Sequence, residues 1–340
     1  MQFTIWITYD CNLKCSYCYE GNEKRSTKLS FENAEKILAF IQQKAQDCTD
    51  TISINLYGGE PLLNYDVFCF IVNTIKKWDN RHLAIFTTTN GTLLDDEKIE
   101  FLTGNLTELS LSIDGEKGTH DKCRKYKNGS GTFDDIIPFI PQLLSKSRNI
   151  VARLTVTPDN AENLANNIKF LYKQGFNKIV PVIDQYDPRW NHNYMKTLIE
   201  ELKKVIDQLY VESKDILVGM IEEVGYRKSS LCLAGTKTMH FSPDGDIYPC
   251  AHVMGYLNLK IGDVINGIDS NKVREIQALN GIPIESCKGC SWIELCHGAR
   301  CKLMNYAVSK CYDPPFSACM NERVLLEVHK YYRQNILDKV

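Results

Sequence analysis

The sequence predicts an α/β protein in which a partial (β/α)6 barrel, similar to a TIM barrel, is followed by a small cysteine-rich domain. Six short β-rich segments alternate with amphipathic helical segments over residues 1–215, and the density of cysteine rises sharply after them. Strands that alternate with helices form a parallel sheet with right-handed crossovers. We therefore expect a barrel domain over 1–215 and a cysteine-rich domain with a C-terminal helix over 216–340.

Most of the predicted strands are rich in β-branched or aromatic residues, and each has the length of a buried strand. These strands are 2–8, 51–57, 82–89, 107–113, 150–157 and 178–183. The helical segments between them place apolar residues three or four positions apart, as at Leu164, Ile168 and Leu171. Active sites of such barrels gather at the carboxyl ends of the strands, so the loops after the first four strands are expected to face one opening.

The composition is that of a globular protein that does not bind nucleic acid. The 340 residues are 44% apolar and 24% charged, with a net charge of −2 and no strongly basic run. The chain shows neither a signal peptide nor an apolar segment of membrane-spanning length, so a cytoplasmic location without a membrane partner is expected. Fourteen cysteines in a reducing compartment are typical of metal ligands rather than disulfides.

The most specific motif is a cysteine triplet formed by Cys11, Cys15 and Cys18, directly after the first predicted strand. Zinc requires four ligands, and no nearby His or Cys completes a set. A disulfide would leave one thiol unpaired. Three thiolates can hold three irons of a [4Fe-4S] cluster and leave the fourth iron open to a ligand from outside the chain.

This triplet resembles the cluster motif of the radical S-adenosylmethionine (SAM) family. The resemblance implies that SAM binds the fourth iron and that an electron from the cluster cleaves it to a 5′-deoxyadenosyl radical. Gly58, Gly59, Glu60 and Pro61 follow the second strand and resemble the family's GGEP motif, which binds the amino group of SAM. Two glycines also let a backbone approach a ligand closely, and Glu60 adds a negative charge that could meet an ammonium.

Four further cofactor contacts are implied by the same resemblance. Tyr17 would offer its backbone to adenine, and Asn90 would lie on the cofactor or substrate side. Ser112 matches a serine near the ribose and carboxylate of SAM, and Arg124 matches an arginine that approaches SAM or substrate. Structural roles are the alternative, since a strand-end serine or a surface arginine is common in any fold.

The cysteines in the C-terminal part of the chain form a second pattern, with a different spacing from that of the triplet. The pair Cys287 and Cys290 alone would suggest a zinc ribbon or a redox pair, but eight cysteines follow residue 231. Their arrangement resembles the SPASM domain, although four residues rather than three separate Cys296 from Cys301. The resemblance implies two auxiliary [4Fe-4S] clusters, cluster I on Cys232, Cys250 and Cys301, and cluster II on Cys287, Cys290, Cys296 and Cys319. Cys311 is a further candidate ligand without a fixed place.

These features predict a radical SAM/SPASM peptide maturase, an oxidoreductase that forms a thioether or carbon-carbon crosslink in a ribosomally made precursor peptide. The auxiliary clusters would accept the second electron of the oxidation. The first strand begins at residue 2, so we expect leader binding by a separate protein or by the barrel surface. An electron donor such as flavodoxin or ferredoxin is a further expected partner.

Two other functions remain open from the sequence. An anaerobic sulfatase-maturing enzyme would oxidise cysteine or serine to formylglycine, but in that group an aspartate follows the cysteine that matches Cys250, and here Ala251 does. His252 or Asp246 could then take the proton, and Arg124 is a third catalytic candidate. The other alternative, a non-catalytic redox sensor, has no need of an open iron beside a SAM site.

Overall fold

The computed structural model describes residues 1–21, 25–78, 82–211, 215–222 and 231–339, which form two compact units. The first unit consists of Met1–Lys14, Glu20–Ser110 and Cys232–Ile282. The second unit consists of Cys15–Tyr19, Leu111–Leu231 and Pro283–Val340. The predicted domain boundary near residue 215 stays a prediction.

Strands and helices alternate through the first two thirds of the chain. The strands are β1 (Gln2–Thr8), β2 (Ile52–Gly58), β3 (Leu83–Thr89), β4 (Glu108–Ser112), β5 (Ile150–Val156), β6 (Lys178–Ile183), β7 (Leu217–Val218), β8 (Thr238–Phe241), β9 (Asp246–Tyr248), β10 (Gly262–Asp263) and β11 (Gly267–Ile268). The helices are α1 (Phe31–Ala45), α2 (Tyr65–Ile75), α3 (Asp96–Asn105), α4 (Lys117–Cys123), α5 (Phe133–Ile136), α6 (Ile140–Lys146), α7 (Leu164–Lys173), α8 (His192–Val205), α9 (Gly219–Glu222), α10 (Ser270–Ala278), α11 (Lys302–Ser309) and α12 (Phe316–Asn335). All six predicted strands are confirmed as β1 to β6, each within one residue at either end.

The first unit is built around β1, which has a parallel neighbour on each side. Gln2 lies opposite Ser53 of β2 and opposite Thr238 of β8. The strand order in this unit is β11-β10-β9-β8-β1-β2-β3, with antiparallel pairs from β8 to β11. Parallel neighbours need crossover connections, which α1 and α2 provide between β1, β2 and β3.

Helix α1 shows how the sequence forms this core. The Ser30 hydroxyl caps the helix by accepting the backbone N–H three residues later at 3.1 Å. Ile37 and Ile41 are fully buried on its inner face, and the Phe40 ring lies 5.7 Å from the Phe241 ring of β8. Each such buried side chain stabilises the fold by about 1.5–3 kcal/mol relative to its exposure.

The strands β8 to β11 were not predicted, because this part of the sequence was expected to be rich in loops. Their lengths are four, three, two and two residues, too short to show an alternating pattern. The Pro-Asp-Gly sequence between β8 and β9 does form a turn, in which Gly245 has φ +87° and donates to the Ser242 carbonyl at 3.0 Å.

The second unit contains the parallel strands β5, β6 and β7, covered by helices. The long helix α12 packs on α8, and its Tyr331 hydroxyl donates to Asp207, just after the end of α8, at 3.0 Å. Its first turn meets the loop after β6, since the Ser317 hydroxyl donates to the Gln185 carbonyl at 2.7 Å. None of the helices in the described ranges combines the length and the apolar character needed to cross a membrane.

Candidate cofactor site

The cysteine triplet lies in the loop after β1, as predicted. Cys11 is buried and belongs to the first unit, whereas Cys15 and Cys18 are half-buried and belong to the second. The Cys18 amide donates to the Cys15 carbonyl at 3.2 Å, which makes a tight turn between the last two cysteines. All fourteen cysteines fall in the described ranges, and none of them forms a disulfide there.

Amide groups surround the Cys11 sulfur. The Leu13 amide donates to Cys11 Sγ at 3.4 Å, and Asn90 Nδ2 approaches the same sulfur at 3.9 Å. Asn90 Nδ2 also donates to Asn12 Oδ1 at 2.9 Å, which fixes the loop beside the cysteine. Donors directed at a thiolate stabilise its charge, and such bonds tune a bound iron-sulfur cluster. Asn90 thus contacts a predicted ligand, and its place on the cofactor or substrate side stays a prediction.

Glu60 holds Asn90 in position. Its side chain is 1% exposed, and Oε2 accepts the Asn90 amide at 2.7 Å. Oε1 accepts the Leu62 amide at 3.1 Å and the Thr89 hydroxyl at 2.9 Å. Burial raises the pKa of Glu60 to about 7, against the opposing effect of these hydrogen bonds. The carboxylate therefore ties the loop after β2 to the loop after β3, a role that the sequence did not predict.

The two glycines of this motif allow a close approach of two backbone segments. A Cβ on Gly58, which has φ +142°, would overlap the Thr8 carbonyl oxygen, and one on Gly59 would overlap that of Asp10. The Gly59 amide donates to the Thr8 carbonyl at 3.0 Å and the Glu60 amide to the Asp10 carbonyl at 2.9 Å. The sequence predicted that these glycines let the backbone approach a ligand closely. In the first unit, the segment that they approach is the one that leads into the cysteine triplet.

In the second unit, the loop that carries the last two cysteines is anchored on Asp114. The Tyr17 hydroxyl donates to Asp114 Oδ2 at 2.5 Å. Arg124 donates through Nε to Oδ2 at 3.0 Å and through Nη2 to Oδ1 at 3.2 Å. Burial raises the pKa of Tyr17 well above its usual value, so the phenol stays a donor. The Ser16 amide completes the anchor by donating to the Cys123 carbonyl at 3.0 Å.

Asp114 itself was not predicted as a site residue. It is 0% exposed, and its Oδ1 also accepts the Thr155 amide of β5 at 2.9 Å. Its position directly after the fourth predicted strand could have identified Asp114 from the sequence. It also precedes Gly115, which has φ +111°. Ser112, the buried last residue of β4, also lies at the predicted strand end.

The auxiliary cysteines are distributed over both units. Cys232 and Cys250 belong to the first unit and Cys301 to the second. The Asn280 side chain fixes the Cys232 backbone with two hydrogen bonds. The Cys232 amide donates to Asn280 Oδ1 at 2.9 Å, and Asn280 Nδ2 donates to the Cys232 carbonyl at 3.2 Å. Cys311 is exposed.

Two of the four thiols predicted for cluster II, Cys287 and Cys296, have raised pKa values. Burial raises the pKa of Cys287, and the charges of Cys290 and Cys319 raise it further. The pKa of Cys296 is likewise raised by burial and then by Cys287 and Cys319. In the ranges that the structure describes, no three His, Cys, Asp or Glu side chains are placed to hold a single metal ion. The ligand sets therefore stay predictions.

Polar atoms without a protein partner lie in the same cysteine-rich segment. Within the described part of the chain, His297 Nε2, Arg300 Nε, Lys302 Nζ and Asn305 Oδ1 are buried and make no hydrogen bond. Arg300 Nε and Lys302 Nζ are donors, His297 Nε2 is a donor in the tautomer that carries its proton there, and Asn305 Oδ1 is an acceptor. Buried donors in the segment that carries these cysteines fit an anionic group such as a thiolate-ligated iron-sulfur cluster.

Two of the three candidate catalytic side chains are engaged in ion pairs. Asp246 Oδ1 lies 2.6 Å from Lys260 Nζ, and Arg124 is paired with Asp114. His252 follows Ala251 in a short 3₁₀ turn, and burial lowers its pKa. The imidazole is therefore neutral near pH 7 and can accept a proton.

A second arginine, after β6, forms a similar set of ion pairs in an exposed position. Arg189 Nη2 lies 2.6 Å from Asp187 and 2.7 Å from Asp159, and the arginine side chain is 53% exposed. In the same loop, the Tyr186 ring stacks on Tyr19 with centroids 6.1 Å apart.

Comparison with protein-family models finds two matches. The model of the radical SAM superfamily matches residues 5–171, and that of the SPASM iron-sulfur cluster-binding domain matches residues 232–291. Among curated proteins, the chain is similar to the cysteine-type anaerobic sulfatase-maturating enzyme of Clostridium novyi, with 26% identity over 96% of this chain and 92% of that protein. The enzyme of the same type from Clostridium perfringens is 29% identical over 86% of each chain.

Solved structures agree on the fold. Native anSMEcpe with bound AdoMet superposes with a TM-score of 0.80 at 22% identity and covers 100% of both chains. Streptococcus suis SuiB bound to precursor peptide SuiA gives 0.69 at 16% identity, covering 93% of this chain and 75% of that one. The predicted fold class and the predicted cofactors, iron-sulfur clusters and SAM, are confirmed at the level of these families. The chain is therefore a member of the radical SAM superfamily that carries a SPASM iron-sulfur cluster-binding domain.

Proposed function

We propose that this enzyme oxidatively modifies a residue of a ribosomally made peptide. The observation that carries the proposal is the presence of eight cysteines after residue 231 in a chain that combines the radical SAM and SPASM matches. A cluster beyond the SAM-binding one supplies an acceptor for the second electron of an oxidation. Support for a peptide substrate comes from the similarity to anSMEcpe, solved with a bound peptide, and to SuiB, solved with its precursor peptide.

The residues of the triplet site have defined tasks in this proposal. Cys11, Cys15 and Cys18 hold the SAM-binding cluster, and Asn90 donates toward the Cys11 sulfur. When bound, cluster and SAM supply a 5′-deoxyadenosyl radical that removes a hydrogen atom from the substrate, and an auxiliary cluster takes up the remaining electron.

The protein's other predicted SAM contacts remain part of the proposal, with roles adjusted to the geometry. The Glu60 carboxylate is occupied by three protein donors, so the backbone from Gly58 to Pro61 is left as the part of this loop that meets SAM. Tyr17 and Arg124 act by fixing the loop through Asp114, and Ser112 reaches SAM from the end of β4.

The preferred product is a thioether or carbon-carbon crosslink. Forming it removes two hydrogens from the peptide: one would leave as a hydrogen atom and the other as a proton, and an auxiliary cluster held by this chain's cysteines would supply the acceptor for the remaining electron. Ala251 favours this reaction over formylglycine formation, because it offers no carboxylate at the position of the sulfatase-maturing aspartate. His252, neutral through burial, is the proposed proton acceptor.

Formylglycine formation on a cysteine is the second candidate function. It is favoured by the similarity, over most of both chains, to cysteine-type anaerobic sulfatase-maturating enzymes. In this reaction too, His252 would have to replace the missing carboxylate.

Anaerobic turnover with the precursor peptide encoded nearest this gene distinguishes these functions. The reconstituted enzyme is incubated with SAM, dithionite and the peptide, and the product is read by tandem mass spectrometry. Loss of two hydrogens with a mapped crosslink supports the first function, and conversion of a cysteine to an aldehyde supports the second. Absence of 5′-deoxyadenosine would contradict both and leave the redox sensor. The triplet variant Cys11→Ala, Cys15→Ala, Cys18→Ala is the matched control.

Two partners and a location complete the proposal. A separate leader-binding protein would deliver the peptide, and a flavodoxin or ferredoxin would replace dithionite in a reducing cytoplasm. A pull-down with the isolated precursor tests the first partner, because direct capture by the enzyme alone would make a leader-binding protein unnecessary.

A further inference from the structure

A buried histidine on α4 lies beside Asp114 in the second unit, and the proposed reaction does not use it. His120 is 0% exposed, and its ring packs edge-on against the Phe133 ring with centroids 5.8 Å apart. Both ring nitrogens are hydrogen-bonded, Nδ1 to the Asp114 amide at 3.3 Å and Nε2 to the Thr132 hydroxyl at 2.9 Å. A buried side chain whose polar atoms are all paired holds the groups that it contacts in one arrangement.

The partners of His120 determine which ring nitrogen carries the proton. Because a backbone N–H can only donate, the Asp114 amide requires an acceptor, so Nδ1 carries no proton. The Thr132 hydroxyl donates to the Arg124 carbonyl at 3.1 Å, so its oxygen accepts from Nε2, which carries the proton. Burial lowers the pKa of His120 to about 4, in agreement with a neutral ring.

These hydrogen bonds form a closed circuit with the ion pair of Arg124 and Asp114. The side chains of the pair are joined by two N–H···O bonds of 3.0 and 3.2 Å. The backbones of the same two residues are joined through His120 and Thr132, from the Asp114 amide to the Arg124 carbonyl. Both members of the pair are therefore held at the main chain as well as at the side chain.

The hairpin after α4 is shaped to bring Thr132 to this ring. Asp121 Oδ1 accepts the Thr132 amide at 2.8 Å and the Phe133 amide at 2.9 Å. A Cβ on Gly131 would overlap the Asp121 carboxylate, so glycine lets the hairpin lie this close to α4. The local sequence from His120 to Phe133 thus builds one hydrogen-bonded arrangement around the ring.

We propose that His120, with its proton on Nε2, is a positioning residue for the loop Cys15–Tyr19, which carries two cysteines of the triplet. In this loop, the Tyr17 hydroxyl donates to Asp114 Oδ2 at 2.5 Å, and the Tyr17 ring lies 5.3 Å from the Arg124 guanidinium. Displacement of either member of the ion pair therefore loosens the loop. The role goes beyond the proposed function, because it does not depend on which peptide reaction the enzyme performs.

Amide hydrogen exchange of the reconstituted full-length protein, measured anaerobically by mass spectrometry, tests this role. The Ser16 amide donates to the Cys123 carbonyl at 3.0 Å, so exchange in residues 15–19 reports the opening of this loop. Thr132→Val keeps the shape of the side chain but leaves two buried groups without a partner, and should speed this exchange at least about fivefold. Thr132→Ser keeps the hydroxyl and should stay close to wild type.

Thr87→Val provides a matched control. Thr87 is also a buried threonine, 2% exposed, and its hydroxyl donates to the Leu56 carbonyl at 2.7 Å. This substitution removes a comparable hydrogen bond from the first unit and should leave exchange in residues 15–19 at the wild-type level. Equal acceleration of these residues by both valine variants would overturn the proposal, because it would reflect a loss of global stability.

Substitution of the histidine itself completes the test. His120→Leu removes both ring hydrogen bonds and should speed exchange in residues 15–19 at least as much as Thr132→Val. Wild-type exchange of the loop in either variant would assign His120 a packing role and overturn the proposal. If His120→Leu does not fold, the comparison of Thr132→Val with Thr132→Ser decides alone. Absence of SAM cleavage by the wild-type protein would refute the proposed function and leave this test intact, because exchange is measured without a peptide.

Discussion

The Glu60 carboxylate carries a charge in a place that is closed to water. It is 1% exposed, and three donors from its own unit satisfy it. Because burial outweighs these bonds, its pKa is raised to about 7, so the group titrates close to neutral pH. Protonation of the Glu60 carboxylate should therefore change how firmly the Asn90 loop, and Cys11 beside it, are held in place.

The free energy of unfolding should fall as pH rises from about 4.5 to about 7, to the extent that Glu60 determines it. The folded state binds the proton more tightly than the unfolded state in this window, at roughly 1.4 kcal/mol per pH unit for one full proton. Glu60→Gln cannot ionise and should lack this slope. Urea unfolding of both proteins from pH 5 to 8 measures the difference.

Comparing wild type with Glu60→Gln cancels the contributions of all other titrating groups to the pH dependence of stability. His120 and His240 have pKa values lowered to about 4 and about 3 by burial, so their contribution falls as pH decreases, opposite in sign to that of Glu60. Identical slopes for wild type and Glu60→Gln would contradict the assignment.

The ion pair of Arg124 with Asp114 should be far more sensitive to substitution than that of Arg189. Both arginines donate to carboxylates, but Asp114 is fully buried, whereas Arg189 is mostly exposed. Arg124→Gln leaves a buried charge unpaired and should cost about 3–5 kcal/mol of unfolding free energy. Arg189→Gln should cost about 1 kcal/mol or less. Chemical denaturation measures both, and equal losses would contradict this account.

At the scale of elements, the sequence predicted β1 to β6 within one residue, because β-branched and aromatic residues recur in most of these segments and Leu alternates with Ser in β4. It placed the functional loops at strand ends for the same reason. It missed β8 to β11, since strands of two to four residues carry no periodic pattern. It also could not assign hydrogen-bond partners, so the use of Glu60 and Asp114 to join loops was not visible.

Substitution at Gly59 tests how the loop after β2 supports the triplet loop. A Cβ at this position would overlap the backbone of Tyr9 and Asp10, which has no flexible end to move aside. Gly59→Ala should therefore destabilise the protein and lower the iron bound at the triplet, measured by iron analysis against protein concentration.

Gly104→Ala is the matched control for this substitution. Gly104 lies in α3, and a Cβ added there would meet no neighbouring atom of the described chain within 4 Å. Alanine should therefore be neutral at this position or stabilise the protein by about 0.5–1 kcal/mol. Full iron content in Gly59→Ala would show that the two loops do not depend on each other.

At the scale of the whole molecule, the sequence predicted a barrel followed by a cysteine-rich domain. This division stays a prediction, and within the first unit Cys232–Ile282 is grouped with the first strands of the chain, because β8 pairs with β1. Pairing between such distant segments leaves no local signal in a single sequence. The cysteine spacing, in contrast, was informative because ligand geometry fixes it over a few residues.

Removal of the triplet should affect one cluster of three. The variant with Cys11→Ala, Cys15→Ala and Cys18→Ala should lose SAM cleavage and keep roughly eight of twelve irons, if the clusters are independent. Iron analysis and chromatography of 5′-deoxyadenosine measure the two outcomes. Retained cleavage would refute the triplet as the SAM-binding site.

The pairing of β1 with β8 has a consequence for synthesis on the ribosome. One edge of β1 stays open until Thr238–Phe241 has emerged, more than two thirds of the chain later. At about 5–20 residues per second, this edge waits for ten seconds or longer, and open strand edges promote aggregation. A nascent chain halted before residue 238 should therefore sediment with aggregates more readily than one halted after β9.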